Sequence, residues 1–355
     1  MSNFDPIMRI LLLPFAWLYH IVLSIRHKLY DWHFLKSKRF EMPVICVGNL
    51  DLGGTGKTPH VEYLIEMLSE WYRVCMVSRG YGRKTKGFQL ANGSCNAETV
   101  GDEPMQYVSK FKEVLVAVDE NRNRAIELME TMDRPPEVYL LDDAFQHRAT
   151  QAGLNILLTS YDLLYTEDYL VPAGTLRDVR SAARRADIIV VSKSPDDLTE
   201  EQKAIAIKKL HPLHHQKVFF SALRYEALES VTTAADSIDP ERVDTVLLFS
   251  GIAHPQYLAE QLRTRYRVEV VAYPDHHFYS KIDVESLLKR YQAMEGTKKI
   301  IVTTEKDYAR LTNSPYLCQF DSVPLFVAPI SVSFFENELF KIEILNYVRK
   351  SNKDS

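Results

Sequence analysis

Cysteine is scarce in this chain: Cys46, Cys75, Cys95 and Cys318 are the only four among 355 residues, and none stands at C-x-x-C spacing. Cys46 and Cys75 lie inside apolar runs that read as buried strands. The pattern excludes a disulfide framework and a cysteine metal centre, and expects reduced thiols of a cytosolic protein. Charge of one sign is also lacking, since 43 Lys and Arg against 47 Asp and Glu leave a net −4. A general attraction to nucleic acid is thereby excluded, and any anionic partner must meet a local basic patch. There is no internal repeat and no low-complexity tract, and a 46% hydrophobic, 25% charged composition is that of an ordinary globular protein.

What the chain does have begins with an apolar stretch, "ILLLPFAWLYHIVLSI" from Ile10 to Ile25. As a helix its 16 residues would span about 24 Å, short of the roughly 30 Å hydrocarbon core. Phe15, Trp17 and Tyr19 suit a headgroup interface, and Arg26, Lys28, Lys36, Lys38 and Arg39 follow at once. The segment reads as a helix at a membrane surface or, alternatively, as a buried core helix. No small-residue cleavage site follows it, which argues against a removed signal peptide.

Apolar runs then alternate with helical spacing: 42–49, 73–78, 114–118, 138–143, 155–160 and 187–192, and later 217–221, 244–253, 266–273, 298–305 and 323–330. Continuous apolar strands separated by helices predict parallel sheets covered on both faces. The expected fold is α/β: two doubly wound α/β/α domains, the first P-loop NTPase-like, behind a membrane-associated N-terminal helix. The expected limits are 1–30 for that helix, 31–230 for the first domain and 231–355 for a smaller C-terminal domain, with a last helix at about 334–349.

The stretch "GNLDLGGTGKTP" (48–59) follows one strand and opens a helix. It departs from G-x-x-x-x-G-K-[ST] because Asp51 stands where the first glycine belongs. Gly53, Gly54, Thr55, Gly56, Lys57 and Thr58 nevertheless fit a phosphate cradle, Lys57 reaching β/γ oxygens and the Thr58 hydroxyl a Mg²⁺. Pro59 sits in the first helical turn, where a missing N–H costs nothing. Asp142 and Asp143 end an apolar strand, where ligands of open α/β sheets bind; one can face a metal while the other meets a neighbouring loop.

Three further clusters stand out: "SRGYGRKTKG" (78–87), "VGDEP" (100–104) and "YPDHHFY" (273–279). The first can wrap an anionic or polyhydroxylated group, the second offers Asp102 and Glu103, and the third sets Asp275, His276 and His277 among aromatics. No third ligand at zinc spacing accompanies the two histidines. A nucleotide switch would be a rival reading, but Leu52 replaces the lysine such proteins carry before the double glycine, and no N-K-x-D is present. A lipid-binding protein with a degenerate loop is disfavoured by the intact Lys57, Thr58 and Asp142.

With these residues laid out, the chain resembles the tetraacyldisaccharide 4'-kinase family of lipid A biosynthesis. The likeness rests on "GNLDLGGTGKTP", "SRGYGR", "VGDEP", "DDAFQHR" (142–148), "PAGTLRD" (172–178), "DHHFY" (275–279) and "TTEKDYARL" (303–311), in that order. The resemblance implies transfer of the γ-phosphate of ATP, with Mg²⁺, to the 4'-hydroxyl of an acylated disaccharide 1-phosphate at the cytoplasmic face of the bacterial inner membrane. It implies no nucleic-acid and no obligate protein partner. It makes Asp102 the acceptor of the hydroxyl proton, with His276 tuning it and Lys57 on the phosphates. Thr58, Asp142 and Glu103 become the metal-side residues, and Arg79, Tyr81, Asn121, Arg122, Gln146 and Arg177 contacts to the sugar or its 1-phosphate. The choice of His276 over His277 follows motif position alone.

Overall fold

The computed structural model describes residues 6–252, 255–275, 277–296, 298–312 and 314–353. It opens with α1 (Pro6–Asp31), a helix of 26 residues that runs through Pro14. At about 1.5 Å per residue that is roughly 39 Å, so the helix extends well past the apolar run in both directions. Among the described residues α1 is long and apolar enough to cross a membrane, by length and composition. One stripe of it, with Ala16, Leu23 and His27, is buried on the protein body, while Ile7, Ile10, Leu11, Phe15, Trp17, Leu18, Val22 and Ile25 stay exposed.

The chain continues through β1 (Lys38–Arg39), β2 (Val44–Asn49), α2 (Lys57–Ser69), β3 (Val74–Ser78), β4 (Gln89–Ala91), α3 (Ala97–Val100) and α4 (Asp102–Lys110). Next come β5 (Leu115–Val118), α5 (Arg122–Glu130), β6 (Val138–Asp142), β7 (Thr150–Gln151), β8 (Leu154–Ser160), β9 (Ile188–Ser192), α6 (Glu200–Leu210) and β10 (Lys217–Tyr225). β2, β3, β6 and β9 are buried at every residue, as their unbroken apolar runs require of strands covered on both faces. One face packs on α1, α5 and α6 through Leu23, Ile126, Met129 and Leu210, the other on α2 and α4 through Val61, Leu64, Ile65 and Tyr107.

A second unit holds β11 (Glu229–Ser230), β12 (Thr245–Ser250), α7 (Gln256–Arg263), β13 (Arg267–Ala272), α8 (Lys281–Ala293), β14 (Lys299–Thr304), α9 (Glu305–Thr312) and β15 (Leu325–Ala328). Its strands lie in the order β11-β15-β14-β12-β13, parallel except at β11.

The end of the chain departs from the expected limits. The run 323–330 divides at Pro329, which has no N–H to give a ladder, and β16 (Ile330–Phe334) returns to the first sheet. There it pairs antiparallel with β10, from Ser221↔Phe334 to Tyr225↔Ile330. The last helix, α10 (Asn337–Lys353), follows it and buries Phe340, Ile344 and Val348 in the first unit, with Phe340 stacked on Phe334 at 3.9 Å. Residues 330–353 therefore complete the first unit, not the second. The nine-stranded sheet reads β16-β10-β9-β8-β2-β6-β3-β5-β4, antiparallel only at its two edges. Successive elements leave β2 toward β3 on one side and toward β8, β9 and β10 on the other. The crevice beyond the carboxyl ends of β2 and β6 is where such a sheet opens to ligands.

Candidate active site

Between β2 and α2 the backbone is left-handed at Gly54 (φ 77°) and Gly56 (φ 79°), positions that a side chain would strain. Asn49 Nδ2 donates to Thr55 Oγ1 at 2.9 Å, and Ser192 Oγ donates to the Thr55 carbonyl at 2.8 Å. Behind the loop, His60 Nδ1 meets the Gly56 carbonyl at 2.7 Å and Nε2 meets Ser221 Oγ at 2.8 Å. Burial drives His60 down to about 4, so the ring is neutral and Nδ1–H is the donor. Among the described residues, the N–H groups of Gly53, Gly54, Thr55 and Gly56 find no protein acceptor. Unpaired amides converging at a helix N-terminus fit a phosphate chain.

Asp51 is explained by pairing. Leu52 N donates to the Thr175 carbonyl at 2.9 Å, Arg177 N donates to the Leu50 carbonyl at 2.7 Å, and Asp51 bridges Leu176. Residues 50–52 thus form a short extended edge against the "PAGTLRD" segment, and no glycine turn is needed there. The Asp51 carboxyl is buried with Oδ2 unpartnered; burial and then Asp168 raise it to about 7, against Lys57 and Arg177.

The adjacent acids take opposite characters. Asp142, at the end of β6, is buried and accepts from Tyr107 Oη at 3.2 Å; burial, Glu103 and Asp143 push it up to about 7. Asp143 is turned into the left-handed region (φ 47°) and held by both arms of Arg177, with Nη1 at 2.9 Å. Lys57 Nζ lies 3.7 Å from it. Burial alone would raise Asp143, but the Arg177 hydrogen bonds and the Lys57 and Arg177 charges hold it below the usual carboxylate range. No group of three or more His, Cys, Asp or Glu able to hold a metal occurs among the described residues. Thr58, Asp142 and Glu103 are oxygen donors only, and a Mg²⁺ bound through one or two carboxylates and substrate phosphates needs no more.

The opposite wall is made by α4 and α9. Gly101 (φ 98°) precedes α4, and a Cβ there would come within 3.0 Å of Gly80 Cα, so the "SRGYGR" and "VGDEP" loops touch backbone to backbone. Asp102 pairs with Arg310 Nε at 3.2 Å, and Glu103 lies 3.7 Å from Lys306 Nζ. Lys110 Nζ, at the other end of α4, bridges Glu62 (2.7 Å) and Glu305 (3.1 Å). His276 lies outside the described residues. His277 is engaged within its own unit, 3.1 Å from Asp283 and stacked on Tyr273 at 4.5 Å.

Of the expected sugar or phosphate contacts, Arg122 is 4% exposed and makes no hydrogen bond among the described residues. Burial and the neighbouring Arg79 lower its pKa. Gln146 Nε2 donates to the Asn49 carbonyl at 2.8 Å while its buried Oε1 has no partner. Asn121 caps α5, accepting from Arg124 N at 3.3 Å, and Tyr81 is 78% exposed. Arg177 Nη2 also donates to Asn49 Oδ1 at 2.6 Å, joining the phosphate loop to Asp143.

Four residues here are not expected at the site from the sequence. His147, inside the "DDAFQHR" motif, has a buried unpartnered Nε2 and is driven to about 4 by burial and by Arg122, Arg79 and Arg26. Arg26 reaches the Gln146 carbonyl at 2.9 Å from α1. Tyr107 and Arg310 emerge only from long-range contacts. α1 is fastened beside the site: Tyr19 Oη donates to the Arg177 carbonyl at 3.1 Å, and His27 Nε2 meets Asp178 Oδ1 at 2.6 Å.

Known proteins match this arrangement along nearly its whole length. The family model described as tetraacyldisaccharide-1-P 4'-kinase covers residues 8–349. The tetraacyldisaccharide 4'-kinase of Flavobacterium johnsoniae is 44% identical over 97% of this chain and 98% of its own. That of Bacteroides thetaiotaomicron is 40% identical over 97% and 94%. The crystal structure of LpxK from Aquifex aeolicus in complex with ATP superposes with a TM-score of 0.72 at 30% identity, covering 96% of this chain and 99% of that one. With a family model and full-length relatives in agreement, the chain belongs to the tetraacyldisaccharide-1-P 4'-kinase family.

Proposed function

We propose that this chain transfers the γ-phosphate of ATP to the 4'-hydroxyl of tetraacyldisaccharide 1-phosphate, working at the cytoplasmic surface of the bacterial inner membrane. The observation that carries the reading is the set of partnerless Gly53–Gly56 amides opening onto Lys57 and the Asp142–Asp143 pair, in a chain of this family. The loop amides and Lys57 would hold the nucleotide phosphates, and Thr58, Asp142 and Glu103 would supply the oxygen ligands for Mg²⁺. When bound, that cation neutralises charge on the phosphates. Asp143, locked by Arg177, keeps Lys57 in place. Asp102 accepts the proton of the attacking hydroxyl, and His276 adjusts it. Arg122, Arg79 and Gln146, with Tyr81 and Asn121 at the rim, receive the sugar and its 1-phosphate; a buried, unpaired guanidinium is the group an incoming phosphate stabilises most.

The acceptor is a lipid, and exposing its chains costs ~0.8 kcal/mol per CH₂, so the reaction belongs at a bilayer surface. The exposed apolar stripe of α1, fastened to the Arg177–Asp178 segment, brings the cleft there. The test supplies radiolabelled ATP and the detergent-dispersed acylated disaccharide 1-phosphate. Label is expected in the lipid; ATP hydrolysis indifferent to lipid would instead identify a nucleotide switch and overturn the proposal.

A further inference from the structure

We propose that Arg310 is a positioning residue, contributed by the second unit, that fixes the carboxylate of Asp102 in the first. The inference rests on the reading of Asp102 as proton acceptor. The Arg310 side chain is only 2% exposed, and its two edges face different units. Nη1 donates to the Gly251 carbonyl at 2.9 Å and to Asp307 Oδ1 at 3.1 Å, while Nε donates to Asp102 Oδ2 at 3.2 Å.

The anchor behind Arg310 is rigid. Asp307 is fully buried and accepts from Ser250 Oγ (2.8 Å), Gly251 N (3.1 Å) and Thr304 Oγ1 (2.7 Å), the ends of β12 and β14. A buried guanidinium is neutralised by one carboxylate, and Asp307 already supplies it inside the second unit. The contact to Asp102 therefore exceeds what that unit's own stability requires.

Asp102 in turn begins α4 behind Gly101, whose backbone is pressed on Gly80, so its main chain is fixed and only the side-chain torsions remain open. Glu103–Lys306 and Lys110–Glu305 run along the same α4–α9 contact and hold the two helices in register. In phosphoryl transfer through a loose transition state, the acceptor of the hydroxyl proton must be well placed more than strongly basic. A planar guanidinium fixed on one edge restrains a carboxylate on the other in a way a lysine ammonium does not.

The test uses the full-length chain with ATP and dispersed acceptor lipid, and compares Arg310→Gln, Arg310→Lys, Asp102→Ala and the Asp102→Ala/Arg310→Gln pair. Arg310→Gln is expected to lower kcat about 10- to 100-fold with both KM values within about twofold, the cost of a misplaced reacting group. Arg310→Lys should recover little, because it restores charge without the edge. In the Asp102→Ala background the second substitution should cost nothing further, as expected of residues acting as one unit. Should Arg310→Gln fail to fold, as judged by its unfolding midpoint, Arg310→Gln/Asp307→Asn removes both buried charges and takes its place. Multiplicative losses, or a change confined to KM, overturn the Arg310 assignment alone. Full turnover by Asp102→Ala overturns the proton-acceptor reading and this inference with it.

Discussion

On the phosphate-loop side of the cleft, the Gly53–Gly56 amides, Arg122 Nε, Gln146 Oε1 and His147 Nε2 have no protein partner among the described residues, whereas on the α9 side Arg310, Asp307, Ser250 and Thr304 satisfy one another. A buried polar group left unmade costs about 1–3 kcal/mol, so the buried Arg122 Nε, Gln146 Oε1 and His147 Nε2 carry costs that a ligand would relieve, while the exposed Gly53 and Gly54 amides stay open to one. The second wall is braced by these mutual bonds among the described residues and is stiff. The first wall is built to receive and the second to place, and substitutions on the two should fail in different ways.

The largest effect is expected at Lys57. Lys57→Met should lower phosphotransfer about 10²- to 10³-fold, the usual cost of losing one charge-stabilising donor, in a chain that still unfolds cooperatively. A loss below tenfold would remove Lys57 from the receiving wall.

Arg122→Ala comes next. Losing a charge-assisted hydrogen bond should raise KM for the lipid about 10- to 100-fold and leave KM for ATP alone. Because Arg122 Nε is buried without a hydrogen-bond partner, its removal should change the unfolding temperature little. An equal rise in both KM values would move Arg122 to the nucleotide side.

Asp142→Asn separates function from stability. Asp142 is raised in the folded state to about 7, above its unfolded value, so the folded chain binds that proton more tightly. The associated stability is complete below pH ~4 and is lost as pH rises toward 7. The amide should therefore raise the ligand-free unfolding temperature by about 2–4 °C at pH 8 and by less at pH 5, while phosphotransfer collapses. Equal gains at both pH values would show that titration of Asp142 is not the cause.

The smallest effect is expected at His277, whose ring is engaged with Asp283 and Tyr273. His277→Gln should cost about 0.5 kcal/mol of stability and leave turnover within roughly twofold. Collapse of turnover would transfer to His277 the role assigned here to His276.

Much of the receiving wall was legible in the sequence because its signals are local. A strand, a glycine turn, Lys57 and a helix follow one another within 26 residues of chain from Val44 to Ser69, and two aspartates end an apolar run. Asp51 was opaque because its conformation depends on pairing with Leu176, far along the chain. Arg310 lies within the "TTEKDYARL" run, but its pairing was hidden for the same reason, since Asp102 is 208 residues away. The oxygen of Asn121, expected as a contact to the sugar or its phosphate, also caps α5, a use that periodicity does not separate from binding. The return of β16 was hidden because an edge strand after Pro329 has the same alternating pattern in either sheet.

That return has a consequence for biosynthesis. β10 is complete at Tyr225, but the strand that covers its edge ends only at Phe334. While the chain is being made, the entire second unit emerges before β10 is covered, and an uncovered strand edge is a template for unwanted pairing. The usual order, in which the N-terminal domain finishes first, is thereby reversed. The nucleotide-binding unit closes last, on a partner already folded beside it.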